Sequence, residues 1–586
     1  MKRISKDIWA VFKLLYQNKG RFSINALLLQ LIMIFISSTY LILLFNMMLK
    51  VAGQSQLTIN NWTEIVSHPA SVILLIIFIL SVAFLIYVEF SLLVYMVYAG
   101  FNRQIITFKS IFKNAFVNVR KLIGVPVIFF VIYLMLMIPI ANLGLSSVLT
   151  KNIYIPKFLT EELMKTTKGI IIYGTFMIAV FILNFKLIFT LPLTILNRQS
   201  LFKNMRLSWQ ITKRNKFRLV IEIVILELII GAILTLIISG ATYLAICVDE
   251  EGDKFLVSSI LFVVLKSALF FYYLFTKLSL ISVLVLHLKQ ENVLDQPGLE
   301  FKYPKPKRKS RFFIISMVLA VTCFIGYNML LYNNTINTNI SIIGHRGFED
   351  KGVENSIPSL KAAAKANVEY VELDTIMTKD KQFVVSHDNN LKRLTGVNKN
   401  ISESNFKDIV GLKMRQNGHE AKFVSLDEFI ETVKQSNVKL LVELKPHGKE
   451  PADYTQRVID ILKKHGVEHQ YRVMSLDYDV MTKLKKEAPY LKCGYIIPLQ
   501  FGHFKETSLD FFVIEDFSYS PRLVNQAHLE NKEVYTWTIN GEEDLTKYLQ
   551  TNVDGIITDD PALADQIKEE KKDETYFDRS IRILFE

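Results

Sequence analysis

Long, nearly uncharged runs fill the first 332 residues, and they restrict the fold more than any other feature of the chain. A run of about 20 apolar residues satisfies its own backbone hydrogen bonds as a helix and so crosses the hydrocarbon core of a bilayer. About seven such runs are present by that criterion, at 24–47, 71–98, 122–145, 169–196, 219–248, 257–286 and 312–332. The first is too long for a cleaved signal peptide and lacks a cleavage-like flank. Beyond residue 332 the sequence alternates as a globular α/β chain does. Of the 586 residues, 51% are hydrophobic, high for a soluble protein, and the excess sits in the first half. This divides the chain into a membrane domain at 1–332, a linker at 333–339, a globular domain at 340–570 and a tail at 571–586.

A net charge of +13 would suit a nucleic-acid partner. The bases of the first half, however, sit in short loops between apolar runs, which is the pattern of membrane topology and not of nucleic-acid binding. Lys2, Arg3, Lys6, Lys13, Lys19 and Arg21 precede the first run, and Arg103, Lys109, Lys113, Arg120 and Lys121 follow the second. Further clusters follow the fourth run, from Arg198 to Arg218, and the sixth, from Lys302 to Arg311. The opposite loops are poor in bases or acidic, as at Asp249, Glu250, Glu251 and Asp253. Basic loops stay cytoplasmic, so the N-terminus lies inside, and an odd number of spans places everything after Tyr332 outside. Cys247 and Cys323 fall in apolar runs and Cys493 stands alone, which excludes a disulfide framework or a CxxC metal site.

Two basic loops, "TFKSIFKNAFVNVRK" at 107–121 and "SLFKNMRLSWQITKRNKFR" at 200–218, mix bases with regularly spaced apolar residues. Amphipathic helices on an anionic inner leaflet would explain both, and ordinary positive-inside loops explain them almost as well. Within the runs stand Glu89, Lys186, Glu222, Glu227, Lys266 and Lys277. Such groups are costly in lipid, and either a transport pathway or mutual neutralisation inside a helix bundle accounts for them.

From Ile340 onward, short β-rich runs alternate with helical stretches, which argues a (β/α)8 barrel. Nine runs qualify: "SIIGHRG", "YVELDTI", "QFVVSHD", "KLLVELK", "YRVMSLD", "KCGYII", "DFFVIED", "EVYTWTIN" and "DGIITDD". "TKDK" between the second and third is a tight turn with no room for a crossover helix, so that pair forms a local hairpin and eight strands remain for the barrel.

Polar residues gather at the C-terminal ends of these runs, the face on which such barrels build their sites. Residues two apart in a strand point the same way, so Glu372 and Asp374 face together, as do Glu443 and Lys445. Buried carboxylates need compensation. Glu372, Asp374 and Glu443 make an oxygen-only set suited to Ca²⁺ or Mg²⁺, while salt bridges to Arg346 and Lys445 are the competing explanation. His345 and His387, at strand ends on one face, suit a general acid and base pair. Arg346 and Lys445 are cations that a phosphate would engage together.

These residues carry a family resemblance. From about Ser341 to Leu563 the chain resembles the glycerophosphodiester phosphodiesterases, relatives of the phosphatidylinositol-specific phospholipases C. "GHRG", "ENS", "VELDT", "VVSHD", "VELKP", "TWTIN" and "GIITDDP" match that family's motifs in order and spacing. The family pattern usually has Pro-Glu-Asn where this chain reads Val353-Glu354-Asn355, and both polar residues are kept. The first 332 residues also resemble the multi-span region fused to such enzymes in bacteria. The resemblance implies a polytopic α-helical membrane domain followed by a TIM-like barrel of the phospholipase C type. It implies metal ligation by Glu372, Asp374 and Glu443, with acid–base work by His345 and His387. Arg346 and Lys445 would hold the phosphate, Glu354 and Asn355 would support the first loop, and Trp537 would line the glycerol end of the substrate.

The implied activity is metal-dependent hydrolysis of a glycerophosphodiester to glycerol 3-phosphate and an alcohol, at the outer face of the cytoplasmic membrane. Deacylated head groups, lysophospholipid and a polyglycerol-phosphate polymer are the candidate substrates. A transporter or lipid-binding sensor with a non-catalytic barrel is the competing class, and the intact metal, histidine and cation positions weigh against it.

Overall fold

The computed structural model of the chain describes residues 2–104, 108–137, 147, 149–150, 154–164, 166–294, 322–323, 325–327, 329, 339–436, 438–570 and 574–585. The chain forms two compact units that are discontinuous in sequence. The first takes Met1–Val51, His68–Asn333 and Thr575–Phe585; the second takes Ala52–Ser67 and Asn334–Glu574.

In the first unit, five helices among the described residues are long and apolar enough to cross a membrane: Lys2–Val51, Pro69–Phe101, Thr167–Leu196, Leu201–Val248 and Phe255–Gln290. The expected span at 122–145 is represented by the shorter apolar helix Val125–Met137, and residues 138–146 lie outside the described residues. The expected span at 312–332 and the linker at 333–339 also lie largely outside them. Expected helix starts move well upstream over residues 2–23 and again over 200–218. That basic stretch is not a separate surface helix but the start of the 48-residue helix Leu201–Val248, where it buries Leu201, Asn204, Ser208, Ile211 and Thr212. No proline interrupts the stretch, and Lys and Arg are good helix formers, so basic charge marks a side of the membrane without ending the helix. The other loop does form its own helix, Phe108–Val119.

The core of this unit collects toward one end of the long helices. Buried residues on Pro69–Phe101 crowd from Ala83 to Ala99, and those on Phe255–Gln290 from Leu274 to Leu288. Ionisable groups there are paired. Lys277 Nζ lies 2.7 Å from Glu89 Oε1, and the Ser147 hydroxyl donates to Glu89 Oε2 at 2.5 Å. Glu222 accepts from Arg218 Nε at 2.8 Å and meets His287 Nε2 at 2.6 Å, and Arg218 in turn engages Asp7. Neutralisation within the bundle therefore holds for Glu89 and Lys277, whereas the partners of Glu222 are Arg218 and His287.

The second unit is a parallel barrel. Strands in chain order are β1 (Gln56–Thr58), β2 (Ser341–Gly344), β3 (Tyr370–Met377), β4 (Phe383–Val385), β5 (Lys413–Gln416), β6 (His419–Lys422), β7 (Lys439–Leu444), β8 (Arg472–Ser475), β9 (Lys492–Ile497), β10 (Gln500–Gly502), β11 (Phe511–Glu515), β12 (Glu533–Trp537) and β13 (Gly555–Thr558). The order β2-β3-β7-β8-β9-β11-β12-β13 closes because β13 and β3 both pair with β2. All eight pairings are parallel, and β4 folds back antiparallel on β3 as the "TKDK" turn requires. The period of two sorts the side chains. Val371 and Leu373 join the outer core under the helices, while Tyr370 faces the barrel interior with Ile343, Leu441, Met474, Ile496, Phe511, Val513, Tyr535 and Ile557. Near the N-terminal ends of the strands, Arg472 donates to the Tyr370 hydroxyl at 3.0 Å and pairs with Glu533 at 2.7 Å. The interior is therefore filled below the site, and Glu372 and Asp374, one and two pleats above Tyr370, point into the mouth.

Candidate active site

The loop after β2 sets the first side of the site. Arg346 and Asn355 both adopt positive φ, 52° and 55°, and the Asn355 amide donates to the Arg346 carbonyl at 2.9 Å. Gly347, at φ +96°, lies so close to Ser359 that a Cβ would fall 2.5 Å from its Oγ, which explains the second glycine of "GHRG". This tight turn aims the Arg346 backbone N–H at Glu372 Oε2, 2.9 Å away.

Glu372, Asp374 and Glu443 each offer an oxygen, and these lie within 4.8 Å of one another. Asp374 is the best compensated. It lies 3.1 Å from Lys445 Nζ and 3.4 Å from Arg346 Nε, and it accepts from Asn355 Nδ2 at 2.8 Å. Its carboxyl is held well below the usual range: burial opposes this, and Lys445, His387 and Arg346 overcome it. Glu372 is pushed up to about 8 by burial and by Asp374 beside it. Glu443 is pushed up to about 7 by burial and by Asp374, against the pull of Lys445 at 3.5 Å. Both readings of the triad thus have a counterpart: the salt bridges to Arg346 and Lys445 exist, yet they satisfy chiefly Asp374. Among the described residues no lysine or arginine lies within ion-pair distance of Glu372. Glu372 and Glu443 thus have less compensating charge than Asp374, and the three oxygens form a set that could hold a hard divalent cation.

Each histidine is fixed through Nδ1. His345 Nδ1 donates to Asp559 Oδ1 at 2.6 Å, and Asp559 is held by Asn540 Nδ2 at 2.6 Å. Burial and Arg346 pull the His345 imidazole down, but Asp559 and Glu372 lift it to about 8. His387 Nδ1 lies 2.8 Å from Asp388 Oδ1, and burial leaves this imidazole below its ordinary value despite Asp374. Arg393 ties this side to the first loop, donating to Asp388 Oδ2 at 2.6 Å and to both oxygens of Glu354 at 2.5 and 2.7 Å. Glu354 also meets Arg346 Nη1 at 3.4 Å and accepts from Gln416 Nε2 at 2.9 Å, at the tip of the β5–β6 hairpin. Trp537 ends β12 and packs against the interior core, one strand from the mouth position of Glu515.

The structure therefore brings together nine of the expected residues: His345, Arg346, Glu354, Asn355, Glu372, Asp374, His387, Glu443 and Lys445, with Trp537 on the flank. Sequence reasoning missed Asp559, Asn540, Asp388, Arg393 and Gln416. Three of these lay inside motifs already singled out, "GIITDDP", "TWTIN" and "VVSHD", where a polar residue at or just after a strand end was the available signal.

Comparison with known proteins covers both the membrane domain and the barrel. The membrane domain of glycerophosphoryl diester phosphodiesterase matches residues 8–328, and the glycerophosphoryl diester phosphodiesterase family matches residues 345–563. The chain belongs to the glycerophosphoryl diester phosphodiesterase family. It is a phosphoric diester hydrolase of that family, carrying both the membrane domain and the barrel. A glycerophosphodiester phosphodiesterase of Caldanaerobacter subterraneus is 27% identical over 231 residues, 38% of this chain and 94% of the relative. A human lysophospholipase D is 26% identical over 301 residues, 43% of this chain and 94% of the relative. An Oleispira antarctica phosphodiesterase, solved in complex with the product sn-glycerol-3-phosphate, aligns at 22% identity with a TM-score of 0.35, over 39% of this chain and 96% of that one.

Proposed function

We propose that the barrel hydrolyses glycerophosphodiesters to glycerol 3-phosphate and an alcohol with the help of a divalent cation, Ca²⁺ or Mg²⁺, held by Glu372, Asp374 and Glu443. The observation that carries this reading is the triad within 4.8 Å, bordered by Arg346 and Lys445 and by two anchored histidines. Bound there, such a cation would supply Lewis-acid polarisation of a phosphoryl oxygen and lower the pKa of a nearby hydroxyl.

The chain's own residues do the rest. Arg346 and Lys445 converge on Asp374 from two sides, and a phosphate entering between them gains two charge-assisted partners. With Nδ1 committed to Asp559 in one ring and to Asp388 in the other, both histidines are left Nε2 for proton transfer. One takes the proton of the attacking oxygen, and the other delivers a proton to the departing alcohol. The loop of Glu354 and Asn355 keeps Arg346 and Asp374 in register, and Trp537 borders the glycerol end.

We place this activity at the outer face of the cytoplasmic membrane, with the N-terminus inside and a membrane domain at 1–332 leading to a barrel at 340–570. The charge pattern supports that side: bases gather before the first apolar run and after the second, fourth and sixth, whereas the loops 52–67 and 249–254 are base-poor or acidic.

The test is hydrolysis of glycerophosphocholine by the purified full chain with Ca²⁺, Mg²⁺ or chelator. Glycerol 3-phosphate release that chelator abolishes is the expected result, and release indifferent to chelator refutes the role of the triad. His345→Ala and His387→Ala should each abolish turnover with folding intact.

A further inference from the structure

We propose that the membrane domain carries a second binding site, a basic cavity beside the start of the helix Leu201–Val248 that takes a small, soluble phosphorylated polyol from the cytosol. The inference does not depend on the hydrolase reading of the barrel. It uses the topology given above, in which this end of the helix lies inside.

The cavity forms where the chain leaving one long helix passes the start of another. The helix Phe255–Gln290 ends at Glu291, and the residues after it run along Leu201–Val248 toward its start. Asn215 Nδ2 donates to Glu291 Oε1 at 3.0 Å, and Asn197 Nδ2 donates to the Val293 carbonyl at 2.9 Å. Gln199, just before the helix, and Lys203, Arg206 and Gln210 on one of its faces form one wall, with Asn292 and Val293 in the other. On the opposite face of the same turns Leu201, Asn204, Ser208 and Ile211 are buried in the core, which anchors the wall. The enclosed volume is about 440 Å³, within the range of small-ligand pockets.

The lining has the chemistry of a site for a phosphate that carries hydroxyls. Among the described residues no acid lines it, and Glu291, next to Asn292, is engaged by Arg214 at 3.9 Å as well as by Asn215. Lys203 and Arg206 form no ion pair among the described residues, and the side chains of Gln199, Gln210 and Asn292 form no hydrogen bond there. The buried bases of the same domain are committed, Arg218 to Asp7 and Glu222 and Lys277 to Glu89. Two cations can engage one phosphate together, and three carboxamides supply donors and acceptors for hydroxyls. The helix also begins here without a side-chain cap, so its first N–H groups add positive potential at the same end. The cytosolic preference of basic loops explains why bases lie on this side. It does not gather two of them and three carboxamides around one cavity.

Distance separates a soluble ligand from a lipid head group. The apolar run of this helix starts at Leu219, and at 1.5 Å per residue Arg206 lies about 20 Å before it along the axis. Lys203 lies farther still. The head-group layer extends only about 5–8 Å beyond the hydrocarbon on each side. Even a helix tilt of about 40° leaves Arg206 about 15 Å from the hydrocarbon edge. A phosphate seated on Lys203 and Arg206 therefore stands in the cytosol, clear of the head groups, and the carboxamides favour one that bears hydroxyls.

The experiment acylates the lysines of the full chain in phosphatidylcholine nanodiscs and reads each by mass spectrometry, with glycerol 3-phosphate, inorganic phosphate or glycerol as the probe. Reading Lys203 itself keeps the cavity apart from the barrel, whose proposed product is one of the probes. Lys213 and Lys216, exposed on the same helix, are the internal controls. The site requires saturable protection of Lys203 by glycerol 3-phosphate, with both controls as reactive as before. In Arg206→Gln half-protection should need about tenfold more of the probe, the scale of one charge-assisted hydrogen bond, while hydrolysis by the barrel is unchanged. Equal protection of all three lysines is screening alone and overturns the site, as does no protection of Lys203. Inorganic phosphate that protects as well as glycerol 3-phosphate overturns the polyol as ligand. Protection of Lys203 that appears only when phosphatidylglycerol is added to the nanodiscs overturns the soluble ligand in favour of a lipid head group.

Discussion

His345 and Asp559, 214 positions apart in the chain, meet at the mouth of the barrel with Nδ1 and Oδ1 2.6 Å apart. On the proposed mechanism the bond fixes the tautomer that leaves Nε2 to the substrate, and Asn540 fixes Asp559 in turn, donating to it through Nδ2 and accepting its backbone N–H at 2.9 Å. Replacing Asp559 by Asn keeps the shape but lets the ring turn to the wrong tautomer. Asp559→Asn should lower kcat by about 10²–10⁴-fold with little change in KM, the scale seen when a buried carboxylate behind a catalytic histidine is neutralised. Steady-state kinetics on glycerophosphocholine check this, and a wild-type kcat would remove Asp559 from the machinery.

Activity should trace a bell against pH. On the proposed two-histidine mechanism, turnover needs one histidine protonated and the other neutral, whichever plays the acid. His387 lies below its ordinary value and His345 near 8, so that mixed state dominates between the two. As pH falls through the His387 value both rings carry protons, and as it rises past about 8 both lose them. The kcat/KM profile should therefore have an acid limb below neutrality and a basic limb near 8. In Asp559→Asn the basic limb should move down, because the charge that lifts His345 is gone.

Cation binding should release protons. Glu372 and Glu443, at about 8 and about 7, hold protons at mildly acid pH, while Asp374 stays ionised. A cation must displace them, so its apparent affinity should rise as pH increases from about 6 to 9 and level off once both carboxyls are ionised. Calorimetry of Ca²⁺ binding in two buffers of different ionisation heat reads the protons released, which should be largest near pH 6.5 and vanish above about 9. Glu443→Gln should weaken the cation and reduce the release.

The barrel depends on one glycine beneath the site. A Cβ on Gly494 in β9 would fall 2.0 Å from the Phe511 ring, which is fully buried in the interior and packs against Tyr535. Gly494→Ala should destabilise the barrel by about 1–3 kcal/mol, the range for overpacking a filled core. Thermal unfolding of the full chain in detergent should show the loss, and Gly174→Ala, whose Cβ would meet nothing within 4 Å, serves as the control.

Legibility followed the range of each interaction. The eight barrel strands and the β3–β4 hairpin were readable because the strand period, the "TKDK" turn and the polar strand ends are all local signals. The carboxylate triad was readable for the same reason, since Glu372 and Asp374 share one strand and the period of two sets their direction. His345–Asp559 and Glu354–Arg393 were not, because each joins residues far apart whose individual motifs say nothing about partners. β1 was the least accessible. Three residues inside a loop between apolar runs carry no strand signal, and their partner β10 lies more than 440 positions away. In the membrane domain, hydropathy located the long helices but not their ends, because Leu201–Val248 begins within a basic stretch that carries no helix-ending signal.

The Glu89–Lys277 pair separates the two explanations for charge inside the bundle. Glu89 is buried at 2% exposure and Lys277 at 15%, and the Ser147 hydroxyl completes the carboxylate. If the pair serves packing, Glu89→Gln leaves an ammonium without its counter-charge and should cost about 3–5 kcal/mol, whereas Glu89→Leu/Lys277→Met removes both charges and should recover most of that loss. Thermal unfolding of the full chain in detergent gives the comparison, with hydrolysis of glycerophosphocholine as the check that the barrel remains intact. Recovery in the double variant identifies the pair as a structural neutralisation. A double variant as unstable as the single one would mean that the charges are held for a purpose other than each other, which is what a transport pathway through the membrane unit demands.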